Sequence, residues 1–256
     1  MHKAIDLEGI EPGWRGRLRR RWSRFCRAER LGLLPEGFHL SISFDDVPDS
    51  AATIGKEVLD HFGCRASWYV ATGLLGAVGP SGQVLDGPRL RELDQEGHEI
   101  ALHGHRHANM AMMPWPDVKA DLARNRDILA QIMGQPASPH LAYPYGEARC
   151  GLKARLRGEV LSARGIAPQI NLPTSDRMQL CAFDLRLETG RIERAIAAMQ
   201  RAALTGGWVI LFSHDVRPDP SAYGITPDVL HDLLSVAREL GAVIRPVGEV
   251  FAQIKR

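Results

Sequence analysis

The 256-residue chain has few of the features that would place it quickly. Its four cysteines, Cys26, Cys64, Cys150 and Cys181, show no CxxC spacing, so they suggest neither a disulfide framework nor a zinc knuckle. No apolar run approaches the ~20 residues needed to span a bilayer. The opening MHKAIDLEGIEPGW has no apolar core of the kind an export signal carries. A reducing cytoplasm is therefore the expected compartment. Net charge is only +2, which gives no global argument for nucleic acid. Low-complexity segments and internal repeats are absent too, leaving an ordinary globular composition with 45% hydrophobic residues.

Charge is present locally. Between Arg15 and Arg30 eight residues are arginine and only Glu29 is acidic, while Trp14, Leu18, Trp22 and Phe25 recur at helical spacing. Residues 1–36 therefore read as a basic amphipathic segment ahead of a domain at 37–256. Most apolar stripes are core contacts, so this one is expected to pack on the domain with its arginines solvated. The alternative is attachment through residues 14–30 to an anionic membrane surface or a charged glycan.

Beyond it, short apolar strands alternate with helical patterns. HLSISF precedes a helix at 50–61 begun by Pro48-Asp49-Ser50, and RASWYV leads into a glycine-rich loop from Gly73 to Gly87. Then come a helix at 88–96, the strand HEIALH, a helix at 116–133 and the strand HLAYP. Residues 150–180 are hardest to read. The strands CAFDLRL, WVILFS and AVIRPV come next, interleaved with helices at 191–204 and 227–240. Repeated β-then-α order with no linker predicts an α/β fold, a parallel sheet closing into a barrel.

The unusual polar clusters all follow strands: Asp45-Asp46, the run HGHRH from His103 to His107, Tyr143-Pro144-Tyr145-Gly146 and Ser213-His214-Asp215. In parallel α/β folds strand C-termini share one face, so clusters distant in sequence meet there. One carboxylate and two imidazoles suit a divalent cation with open coordination positions. His103 and His107 share a face if the chain turns helical after its strand, whereas His105 joins them only if it stays extended. Two adjacent carboxylates at a strand end repel unless a positive charge intervenes. One aspartate can then hold the cation while the other acts as general base on water that the cation acidifies. The competing structural reading is an exposed turn with Asp45 capping the next helix.

FDDVP, HGHRH, AYPYG and LFSHD, in this order, resemble the polysaccharide deacetylase (NodB homology) family, carbohydrate esterase family 4, over about residues 38–250. The resemblance implies a distorted (β/α)7 barrel and a metal-dependent hydrolase removing N- or O-acetyl groups from sugars. It implies Asp45 as base, Asp46, His103 and His107 as metal ligands, and His214 as general acid, Leu211 matching the late Leu-His motif less neatly. The sequence departs from the pattern where Gly104 replaces a serine or threonine and Ala142 stands near an arginine that tethers the base. Arg186 is therefore expected to reach Asp45 instead, and Asp184 to orient His214. Tyr143, Pro144, Tyr145 and Gly146 are expected to line the sugar site, a backbone N–H near Tyr145 to assist at the oxyanion, and Trp115 either to stack on a sugar ring or to cover the barrel edge. Zn2+ is the expected cation, with Ni2+, Co2+ or Fe2+ compatible.

The expected substrate is an N-acetylated glycan of a bacterial surface polysaccharide, or its lipid-linked precursor, met in the cytoplasm at the inner face of the membrane. Three alternatives use the same residues: hydrolysis of a formamide or cyclic ureide, a non-haem iron oxygenase, which needs no base and acid at Asp45 and His214, and a catalytically dead glycan-binding barrel.

Overall fold

In the computed structural model, residues 16, 18, 21–23 and 25–255 are described. Ten strands order the described residues. β1 (Phe38–Asp45), β2 (Ser67–Val70), β5 (Glu99–Leu102), β6 (Ser138–Ala142), β7 (Ser162–Arg164), β8 (Phe183–Asp184) and β9 (Gly207–Ser213) form one parallel sheet in the order β7-β6-β5-β2-β1-β9-β8. β10 (Val243–Ile244) adds to the lower end of β1, and β3 (Val78–Gly79) with β4 (Gly82–Gln83) makes a separate hairpin in the glycine-rich loop. A parallel bridge from Arg164 to Leu180, just ahead of β8, brings the sheet edges together. The sheet thus curls into a distorted (β/α)7-type barrel, as expected.

β1 is buried at all eight positions, and its register with β9 runs from Phe38–Gly207 to Phe44–Ser213. Covered on both faces, it can hold polar residues only where partners exist. Ser43 Oγ donates to the Leu211 carbonyl, and Trp208 Nε1 donates to Ser41 Oγ.

The crossover helices are α1 (Lys56–His61), α2 (Gly87–Gln95), α3 (Trp115–Met133), α4 (Cys150–Leu156), α5 (Arg191–Thr205), α6 (Pro227–Glu239) and α7 (Val247–Ala252). Their ends follow the sequence signals. Asp86 and Thr226 accept the Arg89 and Val229 amides at the starts of α2 and α6, and Gly134, at φ 76°, ends α3. The helix expected at 50–61 differs in detail. It opens as wide π turns over Ala51–Gly55 before α1, and Ser50 makes no side-chain cap.

Two expectations about the N-terminal segment are corrected. Its described residues among 16–25 are helical, but the stripe does not pack on the barrel: Leu18, Trp22 and Phe25 are 55%, 64% and 72% exposed. Gly16 and Ser23, seven residues apart, form the buried face, and Lys153 Nζ donates to the Ser23 carbonyl. Trp14 lies outside the described residues. The cysteines are not all isolated either, because Cys26 and Cys150 form a disulfide across 124 residues. Among the described residues no helix is long and apolar enough to cross a membrane.

Candidate metal centre and catalytic cleft

All sheet strands run the same way, so Asp45, His103, Tyr143, Arg164, Asp184 and His214 arrive at one mouth, each at or just beyond a strand end. β1 runs into two consecutive left-handed residues, Asp46 at φ 60° and Val47 at φ 48°. For an L-residue, and above all for β-branched Val47, that conformation is strained and survives only where packing imposes it. The turn brings into one cleft two neighbouring carboxylates that an extended strand would send to opposite faces.

The HGHRH segment is likewise a loop and not the expected helical turn. Gly104 at φ 76° and His107 at φ 50° fold it back, so the i,i+4 imidazoles meet without a helix. His103 Nε2 and His107 Nε2 lie 3.7 and 3.4 Å from Asp46 Oδ1. The three ligand atoms lie within 4.8 Å of one another. Ligands about 2.1 Å from a tetrahedral zinc stand roughly 3.4 Å apart, so these separations suit a shared cation. Asp46 Oδ1 is buried with no hydrogen-bond partner, which costs free energy unless a cation takes its lone pairs.

The chemistry around these side chains suits that role too. His103 Nδ1 stands 2.8 Å from the Ala142 carbonyl, which can only accept, so Nδ1 carries the proton and the Nε2 lone pair faces Asp46. Burial pushes the His103 imidazole down to about 4, leaving it neutral at pH 7. Asn125 on α3 accepts the His103 amide at 3.2 Å and donates to the Val70 carbonyl, joining the ends of β5 and β2. His105 is not part of the centre; it turns to Thr72 and Arg124.

Asp45 is tethered, but not by Arg186. Arg164, at the end of β7, hydrogen-bonds Asp45 Oδ1 from a wholly buried position, its guanidinium stacked over the rings of Phe212 and Tyr69 at 4.6 and 5.0 Å. Burial alone would raise the Asp45 pKa. The positive charge of Arg164, with His103 and His214, outweighs it and holds the carboxylate below its ordinary range, so Asp45 is ionised at neutral pH. Arg186 has a nearer partner: its own amide and its Nε both bond Asp184, two residues earlier, and Nη1 faces Glu188. Asp184, shared between Arg186 and Arg191, does not orient His214, whose Nδ1 is buried without a hydrogen-bond partner.

The cleft has a volume of about 180 Å³. Asp45, Asp46, His103 and His107 line it together with His214, Arg186, Asp184, Tyr145 and Gly146. Tyr143 and Pro144, expected there, are buried, and Tyr143 Oη donates to the Met178 carbonyl, bracing the loop from behind. Trp115 begins α3 against Arg155 and is not part of the cleft lining. Sequence reasoning missed Ile166, Phe212, Tyr223 and the hairpin tip Pro80-Ser81 as lining.

It also missed Asp121. This buried α3 carboxylate accepts the His105 and Arg106 amides at 2.9 and 3.1 Å and Arg106 Nε at 3.0 Å. A Cβ on Gly104 would stand 2.7 Å from Asp121 Oδ2, so the carboxylate fills the space where the resemblance expects a hydroxyl side chain. The signal was legible: Asp121 and Asn125 interrupt the buried stripe of Val118, Leu122 and Leu129 at helical spacing.

Comparison with known proteins agrees with this architecture. Residues 35–157 match the family model described as polysaccharide deacetylase. The chain is similar to a family 4 acetyl xylan esterase from Clostridium thermocellum solved with a cobalt ion, at 23% identity and TM-score 0.56, covering 83% of this chain and 90% of that one. It is similar to the catalytic domain of a peptidoglycan N-acetylglucosamine deacetylase from Eubacterium rectale, at 14% identity and TM-score 0.58, covering 84% and 91%. A family 4 carbohydrate esterase from Streptomyces lividans, solved with acetate, matches at 18% identity and TM-score 0.56, covering 80% and 90%. No curated protein matches the sequence. Residues 35–157 thus belong to the polysaccharide deacetylase family, and the chain as a whole carries the fold of the carbohydrate esterase family 4 structures.

Proposed function

We propose that the chain is a metal-dependent hydrolase removing N-acetyl, or O-acetyl, groups from a sugar of a bacterial surface polysaccharide or its precursor. The observation that carries this reading is the unpartnered Asp46 Oδ1 between two imidazole nitrogens, with an ionised Asp45 beside it. Asp46, His103 and His107 would hold the cation, Zn2+ first among candidates. When bound, it supplies positive charge that polarises the acyl carbonyl and acidifies water.

The remaining chemistry belongs to the chain. Asp45 takes the proton of the water that adds to the acyl carbon, and Arg164 fixes which oxygen faces that water. His214 delivers a proton to the departing sugar nitrogen as the C–N bond breaks, yielding acetate and a free amine. Tyr145, Ile166 and Tyr223 offer apolar faces on which a sugar ring can rest. A non-haem oxygenase would have no use for the Asp45–Arg164 pair. The Cys26–Cys150 bridge supports a compartment where thiols oxidise over the reducing cytoplasm expected from the sequence.

Acetate release from a panel of N-acetylated glycans, with metal analysis, tests this. Chelation should abolish release and zinc restore it, and His103→Ala should lose the metal and roughly a thousandfold in rate. Release indifferent to chelator, or oxygen uptake with a 2-oxoacid, would overturn it.

A further inference from the structure

A second cavity, of about 710 Å³, lies apart from the catalytic cleft. It lies between α5 and the 167–181 segment, and Arg27, Arg194 and Arg201 line it. Its one carboxylate, Asp176, is already engaged by Lys153 Nζ and the Ala28 and Glu29 amides. Arg27 and Arg201 make no ion pair among the described residues, so the groove presents net positive charge. Exposed leucines stand beside it: Leu172 in the lining is 45% exposed, and Leu204 on α5 is 88% exposed.

Arg27 links this groove to the N-terminal helix. Two residues before it, Phe25 closes the exposed stripe of Leu18, Trp22 and Phe25, whose other face is held to the barrel through Ser23 and the Cys26 disulfide. Large apolar side chains set among arginines, one of them tryptophan, suit the boundary between lipid headgroups and acyl chains. A second copy of the chain fits poorly. Self-docking would set arginine against arginine, since Glu29 is the single acid between residues 15 and 30.

We propose that this face docks on a bilayer containing anionic phospholipid. Leu18, Trp22 and Phe25 enter the interfacial layer, and Arg21 with the groove's Arg27, Arg194 and Arg201 takes the lipid phosphates. Docking is independent of the deacetylase reading, because it needs no turnover to be measured.

Co-sedimentation of the full chain with vesicles tests it, using phosphatidylcholine alone and phosphatidylcholine mixed with phosphatidylglycerol, at low and high salt. Binding is expected to the phosphatidylglycerol vesicles only, to fall with salt, and to persist against free inorganic phosphate at matched ionic strength. Trp22→Glu with Phe25→Glu, and separately Arg194→Glu with Arg201→Glu, should each weaken it about tenfold or more. All four side chains are exposed, so an unchanged melting temperature certifies the fold of each variant. No binding, equal binding to both vesicles, full displacement by phosphate, variants that bind like the parent, or a dimer in light scattering that Trp22→Glu dissolves would each overturn the proposal.

Discussion

At the scale of single residues, the candidate centre is held from behind by groups that never touch the cation. Asp121 spans the loop between His103 and His107, accepting two of its backbone amides, and its carboxylate excludes any side chain larger than glycine at 104. Outer partners of this kind commonly govern affinity by ten- to a hundredfold. Asp121→Ala is therefore expected to weaken zinc binding by about tenfold or more. Asp121→Asn, which keeps one accepting oxygen and the shape, should recover part of it. Calorimetric titration of the metal-free protein reads both, and equal affinities in all three proteins would refute the bracing role.

Between elements, what was legible in the sequence depended on how much chain each signal had. α3 was expected at 116–133 and spans Trp115–Met133, because five turns of periodicity and a terminal glycine all point one way. β7 was missed because it has three residues, too few for alternation to show, and so Arg164 went with it. Arg186 attracted the tether role only because it lay on a strand that could be read. The histidines of the candidate metal site stood out because three histidines in five residues are chemically loud whatever the backbone does. The helical turn assigned to them was wrong because left-handed residues at 104 and 107 bring the rings together by another path.

Strand ends also carry a pH dependence. His98, just ahead of β5, accepts the Ala66 amide at 3.1 Å through Nδ1, which joins the entry of β5 to that of β2 and requires an unprotonated nitrogen. Burial, with Arg65 nearby, pushes its imidazole down to about 4 from an ordinary value near 6.5. The folded state thus refuses a proton that the unfolded chain accepts. The stabilisation is complete above about pH 6.5 and is lost as the pH falls from there towards 4, on the order of 3 kcal/mol in all. Urea midpoints across that range should drop more steeply for the parent than for His98→Gln. Both proteins keep His103, so their difference isolates His98, and parallel curves would remove it as the cause.

Across the whole molecule, one covalent bond decides whether the basic helix and the barrel behave as a unit. Cys26 follows the exposed apolar stripe, and Cys150 begins α4 shortly after the loop that carries Tyr145 to the cleft. No pattern of spacing could have joined two cysteines 124 residues apart; the pairing exists because the sheet curls and brings the Ser23 face of the helix against α4 and the 176–179 turn. Closing so long a loop restricts the unfolded chain strongly, by about 3–5 kcal/mol in the chain-entropy account. Cys26→Ser, Cys150→Ser and the double variant each remove the same bond, so all three should lose the same stability. Reductant should lower the parent to their level and leave the variants unchanged. Thiol titration of the denatured, unreduced parent should find two cysteines, Cys64 and Cys181, and not four. Four free thiols, or single-variant losses that add in the double, would mean that the helix rests on the barrel without a covalent tie.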